Sequence, residues 1–135
     1  MIDDNDDYAR LVQLAFQEAQ VFNPIQVIDN VPEALNYLAE QAIEGARIPA
    51  LVLLGVRMPK ISGLEVLRCI RTEPKLASVP VLVFTGLQAG VEPDLALGLR
   101  ADSLQEKPFS YRDLVQIARS IRDTYLETRE LSKAA

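Results

Sequence analysis

Two sets of residues in this chain carry the side chains that chemistry needs. The first is Asp3-Asp4-Asn5-Asp6-Asp7, an acidic run within the first ten residues. Hard cations such as Mg2+ prefer carboxylate oxygens, and adjacent acids on a strand-to-loop turn can supply them. The same run also fits a solvated helix start, where negative charge is favourable. It grazes a calcium-loop pattern and fails it: Tyr8 stands where glycine is needed and Leu14 where a bidentate Glu should be. The second set is Thr85 and Lys107, which singly read as a strand-end hydroxyl and a surface lysine. With no histidine in the chain, Ser-His-Asp and Cys-His catalysis and imidazole metal sites are excluded. The single cysteine, Cys69, excludes an internal disulfide and reads as a quiet thiol on a helix.

The elements that must position these groups alternate along the chain. Leu51-Val52-Leu53-Leu54 is an apolar run of the kind found mid-sheet in parallel α/β proteins, and it ends at Gly55. Pro59 stops its continuation, and Ser62 with Glu65 forms a capping box that opens a helix over 63–71. Val79-Pro80-Val81-Leu82-Val83-Phe84 is a second buried strand, ended by Thr85-Gly86. Short strands are expected at Ile25 to Ile28 and Ser103 to Gln105, and only Met1 and Ile2 precede the acidic run as a first strand.

Four further helices complete the pattern. The first starts at Asp6 or Asp7 with Tyr8, Leu11, Val12, Ala15 and Ala19 on one face. The second starts at Val31-Pro32-Glu33 with Leu35, Leu38, Ala39 and Ala42 buried, and Gly45 closes it. A weaker one covers Pro93 to Leu99. The last is capped by Ser110 with Asp113, buries Leu114, Ile117, Ala118, Ile121 and Tyr125, and reaches towards Leu131. Strands and helices alternate throughout, which implies a parallel sheet with helical crossovers. The fold expected is α/β: a doubly wound, flavodoxin-like sheet of five parallel strands in the order 2-1-3-4-5, helices on both faces. Residues 1–127 form one domain, and 128–135 are the helix end or a frayed tail.

Taken together, the strand Leu51–Leu54, Met58-Pro59 and Gly63 resemble the core of a response-regulator receiver domain. That signature is an apolar strand, Asp, two residues, Met-Pro, three residues, Gly. The departure is Gly55, which occupies the slot of the phospho-accepting carboxylate. The resemblance extends over almost the whole chain. It implies that Asp3, Asp4 and the backbone carbonyl of Arg57 hold a magnesium ion, weakly because the third carboxylate is missing. It implies that Thr85 bonds a phosphoryl oxygen and that Lys107 reaches the phosphoryl group. It further implies a cis Lys107–Pro108 bond, a form only X-Pro bonds adopt cheaply. Leu104 stands where many members carry a switching aromatic, so coupling through that rotamer is not expected.

The function this implies is a single-domain receiver of two-component phosphorelay signalling, not an enzyme. It would act by protein contact, as a pseudo-receiver that cannot take phosphate at Gly55. An alternative is an ordinary phosphoacceptor whose natural parent has Asp at 55. A remote alternative is a flavin- or nucleotide-binding protein on the same fold, which the acidic Asp3–Asp7 loop opposes because it repels phosphate. Expected partners are a histidine kinase, of which the phytochrome type is hinted at, or a downstream signalling protein. A homodimer is expected through the last strand and last helix, whose exposed rows mix Arg112, Arg119 and Arg122 with Asp123, Glu127 and Arg129. Net charge −5 argues against nucleic acid, and the lack of a long apolar run or signal peptide argues for a cytoplasmic protein without membrane contact.

Overall fold

The computed structural model describes residues 1–43, 48–55, 61–85 and 100–126. Within these, α1 spans Asp6–Glu18, α2 Val31–Gln41, β1 Val52–Leu54, α3 Leu64–Thr72, β2 Val81–Thr85, β3 Ser103–Glu106 and α4 Tyr111–Ile121. A π-helical turn, Arg122–Leu126, continues α4. The expected helix at Pro93 to Leu99, the Met58-Pro59 pair, the Arg57 carbonyl, Gly45 and the tail 128–135 lie outside the described residues.

The strands form a parallel sheet in the order β1-β2-β3. Ile2 extends it, bridging in parallel to Leu54 on one side and to Ile28 on the other. The spatial order is therefore Ile28, Ile2, β1, β2, β3, the expected 2-1-3-4-5. The two outer positions are single bridges rather than strands, as only Met1 and Ile2 precede the acidic run.

Strand residues alternate between two cores, as a sheet covered on both faces requires. Val52, Leu54, Val81 and Val83 pack with Val31, Ala34 and Leu38 of α2 and Val66, Leu67 and Ile70 of α3. Leu53, Leu82 and Phe84 pack on the opposite side with Val12, Ala15 and Phe16 of α1 and Leu114, Val115 and Ala118 of α4.

Several local expectations are corrected. β2 begins at Val81, not Val79, because Pro80 has no N–H for the ladder; its carbonyl still accepts from the Val52 amide at 2.9 Å. Ser62 and Glu65 do not form the capping box. Gly63 is the N-cap residue of α3, and Ser62 Oγ accepts instead from the Leu64 amide at 3.2 Å. The buried face of α1 is rotated: Ala9 and Phe16 are inside and Leu11 is exposed. Periodicity allowed either stripe, and packing against α4 selected one. In α2 Ala34 is buried and Ala39 exposed, a similar rotation. Past Ile121 the π turn adds a residue per turn, so Leu126 is buried and Tyr125 only partly. Ser110 does cap α4, accepting from the Asp113 amide at 3.1 Å. No cis peptide bond occurs among the described residues, so Lys107–Pro108 is trans. Even for X-Pro the trans form is favoured by about 0.5–1 kcal/mol.

Candidate functional site

The carboxyl ends of the strands gather Asp3, Gly55, Thr85 and Lys107. Two backbone bonds fix this edge. The Gly55 amide donates to the Ile2 carbonyl at 2.7 Å, and the Lys107 amide donates to the Thr85 carbonyl at 2.7 Å. Asp3 is held from below by its own amide, which donates to the Ile28 carbonyl at 3.0 Å.

Asp3 is the one buried charged residue among those described, 2% exposed. A buried carboxylate is costly unless it is paired and hydrogen-bonded. The charge is paired and one oxygen is hydrogen-bonded: Lys107 Nζ lies 2.6 Å from Asp3 Oδ2 as an ion pair, and the Asn5 amide donates to Asp3 Oδ1 at 2.9 Å, while Oδ2 has no hydrogen bond among the described residues. Asn5 in turn caps α1, its Oδ1 accepting from the Tyr8 amide at 3.0 Å. Asn is among the best N-cap residues, so this role was readable in the sequence, where Asp6 or Asp7 was expected instead. The acidic run is thus divided in use. Asp3 is buried and paired, Asp6 and Asp7 sit in the first turn of α1, and Asp4 is exposed.

Gly55 has the backbone of an ordinary residue, so conformational freedom is not what it provides. It provides room. A Cβ at this position would lie 3.1 Å from the Ile2 carbonyl oxygen and 3.2 Å from Asp3 Oδ2. The Asp3 carboxylate has closed over the glycine.

Tyr8, expected only as part of a core stripe, also belongs to the site. Its ring centroid is 4.7 Å from Lys107 Nζ, within cation–π range, and 6.0 Å from the Phe84 ring. The ring is partly exposed, but its hydroxyl oxygen is shut off from solvent, with no hydrogen-bond partner among the described residues. Burial, and next the Asp3 charge, push the phenol up to about 12. No sequence signal separates this tyrosine from an aromatic that merely packs.

Of the other expected residues, Thr85 ends β2, paired in register with Glu106. Leu104 lies deeper in β3, opposite Val83, and packs against the α2–α3 core rather than the pocket. As arranged, the described residues do not fit a divalent ion well. Asp3 is committed to Lys107, Asp4 is exposed, and no group of three acidic or thiol side chains among the described residues is placed to hold a metal.

Residues 1–119 match the family model for the response regulator receiver domain. The chain is 30% identical over 126 residues to the probable methanogenesis regulatory protein FilR2 of Methanothrix harundinacea, covering 93% of this chain and 81% of that one. It is 27% identical over 135 residues to response regulator Rcp1 of Synechocystis sp., covering 99% and 92%. The Mn(2+)-bound crystal form of Rcp1 superposes with a TM-score of 0.68 over 94% of this chain and 92% of that one. The phosphorylated cyanobacterial phytochrome response regulator RcpA superposes with a TM-score of 0.79 at 30% identity, over 94% and 91%. Receiver domains are signalling modules of two-component systems, and the parallel sheet with helices on both faces has their architecture. The chain belongs to the response-regulator receiver family.

Proposed function

We propose that this chain is a receiver-type module that signals through protein contact and does not accept phosphate at position 55. The observation that carries this reading is Gly55 itself. It ends the central strand where the acceptor carboxylate would stand, and Asp3 is closed over it onto Lys107. A glycine has no oxygen to attack phosphorus. Asp3 is a poor replacement, because its carboxylate is buried and engaged rather than aligned with an incoming donor. Mg2+ binding is weaker than in a variant with Asp at 55, since the third carboxylate is missing and Lys107 already neutralises Asp3. Without a covalent dianion between Thr85 and Lys107, nothing biases a two-state equilibrium, so the domain stays in one state.

Likeness to phytochrome response regulators supports a histidine kinase of that kind as the partner, in the cytoplasm. If the domain pairs with itself, the face of β3 and α4 is the proposed surface, with exposed Arg112 and Arg119 on it. Arg122 is withdrawn from that role. Its guanidinium donates to the Ala19 carbonyl at 2.6 Å and pairs with Asp123 at 2.9 Å.

The retained Asp3, Asp4, Thr85 and Lys107 favour a second reading, in which the parent carried Asp at 55. One experiment addresses both. The protein and Gly55→Asp are incubated with acetyl phosphate and Mg2+, and their intact masses are measured. The chain as written should gain no mass, and Gly55→Asp should gain one phosphoryl group. A phosphoryl adduct on the unaltered chain would overturn the proposal. Failure of Gly55→Asp to take phosphate would count against the second reading.

A further inference from the structure

We propose that Tyr8 is a positioning residue for Lys107: its ring face and the Asp3 carboxylate together cage the ammonium, and the missing side chain at Gly55 lets that cage close. The ammonium touches Asp3 Oδ2 at 2.6 Å on one side and lies 4.7 Å from the Tyr8 ring centroid on another. Lysine has three N–H donors on a flexible stem, and one carboxylate cannot by itself hold such a group in a fixed direction. The ring supplies the second wall. Its own orientation is set, since Tyr8 packs on Phe84 at 6.0 Å and its amide is tied to Asn5 Oδ1. The same Asn5 donates its amide to Asp3 Oδ1. One residue thus fixes both walls of the cage, and Lys107 is left 20% exposed at its side chain.

Gly55 belongs to the device because of space. A Cβ would stand 3.2 Å from Asp3 Oδ2 and 3.1 Å from the Ile2 carbonyl oxygen, and the carbonyl is fixed by the bond it accepts from the Gly55 amide. The carboxylate would have to give by a few tenths of an ångström, which shifts the wall facing Tyr8. The ammonium is therefore the resident cation of this pocket, tethered to the chain itself.

The test is the acylation rate of Lys107 by an amine-reactive acetylating reagent, followed by peptide mass spectrometry. It uses no phosphodonor, so its result is independent of the reading of Gly55 as a lost acceptor. Exposed Lys75 is the internal reference. Tyr8→Phe, which keeps the ring, should leave Lys107 as protected as in the unaltered chain. Tyr8→Leu should raise Lys107 labelling about tenfold relative to Lys75, the size expected of a partly desolvated cation–π contact. Gly55→Ala, which leaves Tyr8 intact, should raise it as well, though less. Equal labelling of Lys107 in Tyr8→Leu and the unaltered chain would overturn the proposal. So would labelling in Tyr8→Phe as fast as in Tyr8→Leu, because the hydroxyl rather than the ring would then hold the lysine. Should Tyr8→Leu not fold, unchanged labelling in Gly55→Ala would refute the cage on its own.

Discussion

The two ends of the sheet each hold a long cationic side chain against an aspartate, and they hold it differently. At the amino ends of β2 and β3, Arg71 is almost fully saturated. Its guanidinium donates to the carbonyls of Ala77, Val79 and Arg100 at 3.1, 2.7 and 2.9 Å and to Asp102 Oδ2 at 2.8 Å. Asp102 Oδ2 also accepts from the Val81 amide at 2.7 Å, and the Arg100 side chain reaches back to the Arg71 carbonyl at 3.2 Å. Apart from the Val81–Asp102 bond, every bond of that clasp ties the end of α3 to the chain before β2 or β3. At the carboxyl ends, Lys107 has one carboxylate and one ring face. The guanidinium fork suits a permanent joint, whereas a lysine is a point charge on a flexible stem. The contrast separates a fastening from a site within one small domain.

The sharpest way to break the comparison is Arg71→Met. It removes the Arg71 donor from three backbone carbonyls and leaves Asp102 with the Val81 amide, and should lower unfolding free energy by about 3 kcal/mol in urea titrations. A loss near zero would remove the claim that this end is the fastening. Next comes the pair at the other end. Lys107→Met strands a buried carboxylate, while the Asp3→Asn, Lys107→Met double variant does not. A double-mutant cycle should return a coupling of about 1–3 kcal/mol, with the double variant more stable than Lys107→Met alone. Simple additivity would mean that the 2.6 Å contact carries no energy.

Smaller still is Gly55→Ala, expected to cost about 1 kcal/mol through crowding of the Ile2 carbonyl and Asp3. A stabilising effect would show that Asp3 yields freely. The last effect is confined to alkaline pH. The phenol of Tyr8 is raised from the ordinary 10 to about 12 by burial, and then by Asp3. Below pH 10 the phenol is neutral in both folded and unfolded chains, so it contributes no pH dependence. Between pH 10 and 12 the unfolded chain ionises first, so stability should fall as pH rises through that window. Tyr8→Phe should flatten the decline, and the phenolate absorbance of the folded variant should lack a late-titrating group that the unaltered chain has. An unchanged slope in Tyr8→Phe would remove Tyr8 from the account.

What could be read from the sequence follows from the range over which each signal acts. The runs Leu51–Leu54 and Val79–Phe84 announced buried strands because a parallel strand is apolar on both faces, though the second begins at Val81. Asp3, Gly55, Thr85 and Lys107 were legible through their joint order with Met58-Pro59 and Gly63. Arg71 was not, because its partners Arg100 and Asp102 lie 29 and 31 residues away and follow no local pattern. The site role of Tyr8 was hidden too, since an aromatic on a helix face looks the same whether it packs on Phe84 or walls a lysine. The rotated faces of α1 and α2 failed for a related reason. Alanine and leucine fit neighbouring stripes, and the opposing element decides between them.

Ile2 bears on the lifetime of the pocket. This single residue joins Ile28 to β1, donating its amide to the Leu53 carbonyl at 2.8 Å and receiving the Gly55 amide on its own carbonyl. Asp3 hangs from the next position. Because Ile2 is itself buried in the core shared with α2 and α3, a local opening there would release the carboxylate only by drawing that side chain out of the core. Access to the pocket is then governed by how often that one inner position of the sheet opens, which ties the lifetime of the site to the core beneath it.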